Sequence, residues 1–445
     1  VQYFQLKLKE LVVSLMTTAS NHSILKHECH LHLYGCLDAK SCWPVVEARA
    51  NAHPSRFQWF LAEYERMTGI QLDPKRRWFH PDGFSSFQEI FVCDRSVPFD
   101  LFQAKFNLLI ALFPPDAKDL WLADVVFKAH ATTGGYKEYR TFLPLYLPSP
   151  ERANYLRGLL DLARLYESSH YHPRIAISLL RSDREMWEGY HFLRKFMRDN
   201  PDVSSMITGI DFCGNERGHP PSAKFEFFRQ VLLDNQTQQR LDILYHVGEM
   251  WQDVSIASAA RWCVEAAVLG ARRLGHATAL GMGLSSLVGG RIHEVESQTA
   301  EHLAWIRNNL GALQNFGFGP SDYAWIKDRA DANLENGYVA WVYDHDLIEH
   351  TTRFQTAAMG MIKTTNPVIE CCPTSNIRIG QLKDANQHPL LTFLNQGLEV
   401  VVATDDPGVF DITLASEESL LRRDFFLDTK TLQRMDDVAG NLLTR

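Results

Sequence analysis

LDILYHVGEMWQDVSIASAARWCVEAAVLGARRLGHA, residues 241–277, decides the fold. Residues 241–247 are a short apolar run of strand-forming residues, 257–268 (ASAARWCVEAAV) has high helix propensity, and 271–277 (ARRLGHA) forms a second strand. Two strands separated by a helical crossover run parallel, because a parallel connection needs a dozen or more residues. Both strands carry a histidine as their last residue but one, His246 and His276.

The same unit recurs outward in both directions. Strands are expected at 26–34 (KHECHLHLY), 136–142 (YKEYRTF), 174–180 (RIAISLL), 207–213 (ITGIDFC), 241–247, 271–277, 367–373 (PVIECCP) and 398–404 (LEVVVAT). Residues 151–167 are a helix, with Leu156, Leu159, Leu160 and Ala163 on one face. Eight strands alternating with helices predict an α/β fold of the (β/α)8 barrel type, with a doubly wound sheet as the alternative before the motifs are weighed. Two connections are much longer than one helix requires, 35–135 after the first strand and 278–366 after the sixth. They are read as long helical insertions on a single domain covering 1–445. Both leave the face that carries active sites in such barrels, so substrate choice or assembly is expected to lie there.

Charge and composition exclude several classes. Lys+Arg number 45 against 53 Asp+Glu, a formal net charge of -8. Long nucleic acid is therefore not an expected partner, since its binding rests on clustered cations. The most apolar stretch, 101–115, carries Gln103, Lys105 and Asn107, is too short to span a bilayer and reads as a buried helix. Eight scattered cysteines without a C-x-x-C pair suit reduced, buried thiols and a cytoplasmic setting. The chain starts without Met, and the apolar patch Leu11–Met16 follows Lys7, Lys9 and Glu10, which suits a processed or truncated start better than a signal peptide.

The chemistry-bearing residues fall at strand ends. His30 and His32 are two apart on one strand and point to the same side, as a pair of metal ligands requires. One such pair is expected by chance, and His170 with His172 is a second, placed before its strand at the opposite end of the barrel. His246 is followed by Gly248 and Glu249, His276 follows Gly275, and the eighth strand runs into Thr404-Asp405-Asp406-Pro407. Each histidine alone reads equally as a core residue, and one of the two aspartates as a helix cap. Together, three histidines and an aspartate at the C-terminal strand ends would make a mononuclear zinc site with a position left for water.

The ordered motifs HLHLYG, GIDFCGNE, HVGE, LGHA, CCPTSN and ATDDP resemble those of the adenosine deaminase family, a branch of the metal-dependent amidohydrolase barrels. The resemblance implies one Zn2+ per chain on His30, His32, His246 and Asp405, and hydrolytic deamination of a purine nucleoside. His276 would orient or deprotonate the attacking water, Glu249 would protonate ring N1, and Asp405 would assist proton transfer. Asp406 would meet N7, the Gly214 N–H would reach N3, and the helix 84–91 (FSSFQEIF), through Phe87 and Phe91, would lie over the purine; core packing explains those phenylalanines equally well.

Three departures accompany the resemblance. Tyr34 stands where the family has an aspartate for the ribose 5'-hydroxyl, so a 5'-modified adenosine enters the expectation beside adenosine. Ala277 replaces the glycine after the base histidine, and the stretch 278–366, with Trp305, Trp325 and Trp341, is enlarged. Adenine or adenosine-phosphate deamination, or a deaminase-like subunit of a larger, for example antiviral, assembly, are the alternatives. A homo-oligomer or assembly contact is expected on 278–366, and no membrane partner.

Overall fold

A computed structural model describes residues 23–380 and 382–444. The apolar patch Leu11–Met16 lies outside them. In chain order the strands are β1 (Glu28–His32), β2 (Gly135–Phe142), β3 (Tyr171–Ser178), β4 (Ile207–Phe212), β5 (Asp242–Val247), β6 (Arg273–His276), β7 (Arg291–Val295), β8 (Leu334–Glu335), β9 (Tyr338–Val342), β10 (Val368–Cys371) and β11 (Glu399–Val402).

Eight of these pair in parallel in the order β1-β2-β3-β4-β5-β6-β10-β11. The seam is closed just past β11, where the His32 amide donates to the Asp405 carbonyl at 2.9 Å and the Asp405 amide to the His30 carbonyl at 3.2 Å. The fold is thus the (β/α)8 barrel, and all eight expected strands are present. β3 starts earlier than expected, at Tyr171, so His172 lies inside the strand; its ring stacks on Tyr136 at 4.4 Å, at the end of the barrel opposite His32, His246 and His276.

Local rules explain the helices. Asp38 accepts the Ser41 amide at 2.7 Å and starts helix Ala39–Ala52. Ser255 caps helix Ile256–Leu269, which ends at Gly270 in the left-handed conformation, φ 113°. Leu156, Leu159, Leu160 and Ala163 of helix Ser149–Tyr166 are buried, as their spacing predicts. The apolar stretch near 101–115 is helix Phe99–Leu112. All eight cysteines are free, seven of them buried. Among the described residues no helix is long and apolar enough to cross a membrane.

The barrel interior departs from the apolar layers usual in such folds. Buried Arg273 holds Glu138 at 2.6 Å and Glu370 at 3.1 Å, while Arg140 pairs with Glu370 and, at 3.2 Å, with Asp211. This network carries charge from the middle of the barrel to the floor of its C-terminal mouth.

The second insertion is not purely helical as expected. Besides helices Glu296–Gln314, Pro320–Ala332 and His345–Lys363 it contains a three-stranded antiparallel sheet in the order β7-β9-β8. The Gly281–Gly290 run ends at β7, and the β-branched and aromatic residues of 338–342 (YVAWV) favour the strand that pairs with it. Glu294, fully buried on β7, accepts from the Ser255 amide at 3.1 Å, Thr299 Oγ1 at 2.9 Å and Trp341 Nε1 at 2.8 Å. One carboxylate thereby ties the small sheet to the cap of a barrel helix.

Candidate active site

His30 and His32 project from β1, His246 from β5, His276 from β6, and Asp405 and Asp406 follow β11. Nε2 of His32 lies 3.3 Å from Nε2 of His246, and Asp405 Oδ1 lies 3.4 Å from His30 Nε2 and 3.2 Å from His32 Nε2. One ligand atom from each of these four residues falls within 4.8 Å of the others.

The cluster suits a metal ion. A tetrahedral zinc with bonds of ~2.0–2.1 Å sets its ligand atoms roughly 3.3 Å apart. Behind the ring of nitrogens, His30 Nδ1 meets Glu370 Oε2 and His246 Nδ1 meets Asp211 Oδ1, both at 3.0 Å. Each carboxylate accepts a hydrogen bond from Nδ1–H and so leaves the Nε2 lone pair facing the centre. Arg140 holds both carboxylates from below, and its Nη1 lies 3.3 Å from His30 Nε2. Asp405 Oδ2 accepts from Ser375 Oγ at 2.7 Å, whereas buried Oδ1 has no hydrogen-bond donor. Burial pushes the Asp405 carboxyl up, but the His30 and His32 imidazoles beside it outweigh that and hold it well below the usual range.

Two carboxyls beside the cluster behave oppositely. Burial, with Asp405 next, raises Glu249 well above the usual carboxylate range, and the same two causes raise Asp406. Both are buried beside the same Asp405 carboxylate. Glu249 is aimed by its own backbone, because Glu216 accepts the amides of Gly248, Glu249 and Met250 at 2.8, 3.0 and 3.1 Å. His276 Nε2 lies 3.6 Å from Glu249 Oε1, and its Nδ1 meets Asn376 Nδ2 at 2.9 Å. Burial keeps the His276 ring well below the usual imidazole pKa.

Two glycines make room for this arrangement. A Cβ on Gly35 would sit 1.7 Å from Asp406 Oδ1, and one on Gly275 would sit 3.1 Å from the His30 ring. His276 (φ 62°), Ala277 (φ 50°) and Asp405 (φ 67°) occupy the left-handed region without being glycine. Such residues cost of order 1–3 kcal/mol each and concentrate where a site dictates geometry. Ala277 adopts this conformation despite its Cβ.

The pocket over the cluster is lined by Gly214, Glu249, His276 and Asp406, with Phe99, Phe102, Phe106 and Ile110 forming an apolar wall. This wall corrects the expectation placed on 84–91. Phe87 and Phe91 are buried, pack on each other at 5.4 Å, and Phe87 packs on Trp78 at 5.6 Å; neither lines the pocket. Helix Phe84–Phe91 supports the wall helix Phe99–Leu112 from outside, since Lys105 Nζ donates to the Glu89 carbonyl at 2.9 Å. Tyr34 is also absent from the lining; its hydroxyl donates to the Phe113 carbonyl at 2.8 Å. Asp211, Glu216, Glu370, Ser375 and Asn376, which hold the site residues in place, were not singled out by sequence reasoning. Asp211, Glu216, Ser375 and Asn376 stand inside the motifs GIDFCGNE and CCPTSN, the one signal that could have found them.

Residues 344–440 match the family model described as adenosine deaminase. Over 67 residues the chain is 39% identical to an aminodeoxyfutalosine deaminase of Acidothermus cellulolyticus, covering 15% of this chain and 19% of that protein. Over 68 residues it is 38% identical to an adenosine deaminase-like protein of Drosophila melanogaster, covering 15% and 20%. These matches span about a fifth of the curated relatives' length. The fold likeness runs much further. An adenine deaminase from Arthrobacter aurescens aligns with a TM-score of 0.55 at 15% identity, covering 94% of this chain and 98% of that one. The Arabidopsis ADAL structure complexed with IMP aligns at 0.55 and 16%, covering 94% and 95%. A zinc-bound amidohydrolase from Burkholderia ambifaria aligns at 0.53 and 13%, covering 95% and 88%. The matched segment contains Asn376, Asp405 and Asp406, so the sequence likeness to adenosine deaminases falls on the strand ends that close the barrel around the cluster.

Proposed function

We propose that the protein is a zinc-dependent hydrolase that replaces the C6 amino group of a purine nucleoside by oxygen and releases ammonia. The observation that carries this reading is the cluster of three imidazoles and Asp405, with one ligand atom from each within 4.8 Å of the others, and the buried carboxyls of Glu249 and Asp406 beside it. His30, His32, His246 and Asp405 would hold one zinc, which when bound lowers the pKa of a water toward neutrality.

The remaining chemistry belongs to the chain. Adding oxygen at C6 pushes electrons onto ring N1, and a proton must arrive there. Glu249, kept protonated by burial and by Asp405, is the acid that supplies it. Asp406, protonated for the same reasons, offers a donor to N7, and Gly214 turns with φ 78° to present its N–H to N3. His276 stands beside Glu249, on the side of the ring where C6 must sit.

The substrate follows from the wall. Among the described residues the pocket lining carries no lysine or arginine, while Phe99, Phe102, Phe106 and Ile110 are apolar. That lining favours adenosine, or an adenosine with an uncharged 5' group, over a nucleotide, whose phosphate seeks cations. We read both insertions as parts of the same enzyme, the first completing the pocket and the second bracing the barrel.

Purified protein incubated with adenosine, 5'-methylthioadenosine, adenosine monophosphate and adenine, read by ultraviolet absorbance and ammonia release, tests the proposal. Turnover is expected for the first two, with about one zinc per chain. No turnover of any of the four overturns the deaminase reading. Glu249→Gln is expected to keep zinc and lose turnover by about 10²–10⁴-fold, the usual weight of a general acid.

A further inference from the structure

We infer that His388 and Asn376 form a hydrogen-bond relay of fixed polarity that makes His276 a proton-bearing donor toward the reaction centre rather than its base. The inference rests on the deaminase reading above. His388, Asn376 and His276 are 3%, 0% and 1% exposed, so no bulk water competes for their hydrogen bonds.

The polarity starts from a backbone amide, a group that can only donate. The Leu390 N–H lies 3.1 Å from His388 Nδ1, so that nitrogen accepts. An imidazole carries at least one N–H, and in His388 it is therefore on Nε2. Nε2 lies 3.1 Å from Asn376 Oδ1 and donates to it. With its oxygen turned to His388, Asn376 presents its Nδ2 to His276 Nδ1 at 2.9 Å. An amide NH2 donates and does not accept. Nδ1 of His276 must then be the acceptor, and the proton of the neutral ring sits on Nε2, the nitrogen that faces the pocket and Glu249.

Each member is held by a separate element. His388 stands just ahead of helix Leu390–Asn395, and its ring packs edge-on against Phe425 at 5.5 Å. Asn376 lies in helix Pro373–Arg378, and its backbone amide donates to the Cys372 carbonyl at 2.9 Å. His276 is aimed by its left-handed backbone at the end of β6. A donor at Nε2 can hold and polarise the oxygen that adds to C6 but has no lone pair to take that oxygen's proton, which therefore goes to the Asp405 carboxylate and from there to the departing amine, released as ammonia. Asn376 and His388 are thus positioning residues, acting through His276.

Reversing the relay tests it. In Asn376→Asp the new carboxylate accepts from Nδ1–H and leaves a lone pair on Nε2, the tautomer a general base needs. We expect Asn376→Asp to lose about 100-fold or more in kcat with little change in KM, since the group altered contributes to the chemical step. His388→Phe should lose about 10–100-fold, the usual range for groups that orient a site residue, and His388→Gln, whose amide N–H can still reach Asn376, should recover most of it. Retained or raised kcat in Asn376→Asp, or equal loss in both His388 variants, overturns the relay.

A second readout needs no turnover. In protein labelled with 15N-histidine, the His276 signal, identified by its absence in His276→Gln, should show the proton on Nε2 in the wild type and on Nδ1 in Asn376→Asp. Finding Nδ1–H in the wild type overturns the inference. Because this measurement stands without substrate, failure of the relay and failure of the deaminase reading are separable.

Discussion

The two insertions leave the same end of the barrel and do different work. The first, between β1 and β2, lays helix Phe99–Leu112 along the mouth and supplies Phe99, Phe102, Phe106 and Ile110 to the pocket. The second, between β6 and β10, contributes no residue to the described pocket lining and instead fastens a small antiparallel sheet to the cap of helix Ile256–Leu269 through Glu294. Length and point of departure are alike, so neither reveals the role. The anchoring chemistry does: an apolar face turned toward a concavity serves binding, and a buried carboxylate with three donors serves rigidity.

That contrast can be broken at either end. The largest effect is expected from Glu294→Ala, which strands the Ser255 amide, Thr299 Oγ1 and Trp341 Nε1. Buried groups left unsatisfied cost ~1–3 kcal/mol each, so urea denaturation should show a loss of about 3–5 kcal/mol. The folded fraction should keep its KM; a KM raised tenfold would put the second insertion at the pocket after all.

This stability comparison is sensitive to pH because of Glu417, on helix Leu414–Asp424 outside both insertions. Burial raises its pKa from 4.5 to about 7. Between those values the folded protein binds the proton and the unfolded chain does not, so stability is full below the lower value and falls as pH rises through the upper one. The loss is of order 3 kcal/mol by linkage. Glu417→Gln should flatten the dependence of Tm on pH between acid and neutral conditions, and an unchanged slope would remove Glu417 as its source.

At the pocket end, Phe106→Ala takes an aromatic face from the wall. Losing ~1.5 kcal/mol of apolar contact with substrate corresponds to about a tenfold rise in KM, with kcat kept within about threefold. An unchanged KM would mean that the first insertion, too, is only structural. The smallest effect belongs to Tyr34→Phe, which deletes the hydrogen bond to the Phe113 carbonyl. It should cost about 1 kcal/mol of stability and leave KM within twofold. A large KM change would return Tyr34 to the substrate.

How much of this was legible depended on whether the signal was local. β5 and β6, with the helix between them, follow from a few consecutive residues, and His30 with His32 share a face because alternation along a strand is geometry. The wall was not legible. FSSFQEIF and the helix Phe99–Leu112 both carry apolar residues at helical spacing, and nothing local says which faces a cavity and which faces Trp78. The strands of the second insertion were missed because they are short, and the longest unit of periodicity around them is helical.

Alternating strands and helices, and histidines and carboxylates at the strand ends, were determined by the sequence alone, because each depends on neighbours along the chain. The state of those groups was decided by the tertiary structure. Burial and the Asp405 carboxylate raise Glu249 and Asp406, while His30 and His32, brought from another strand, hold Asp405 low. The proton of His276 is assigned by a backbone amide more than a hundred residues away, at Leu390, through Asn376 and His388. Protonation is set by what surrounds a group in space, and only folding brings those surroundings together.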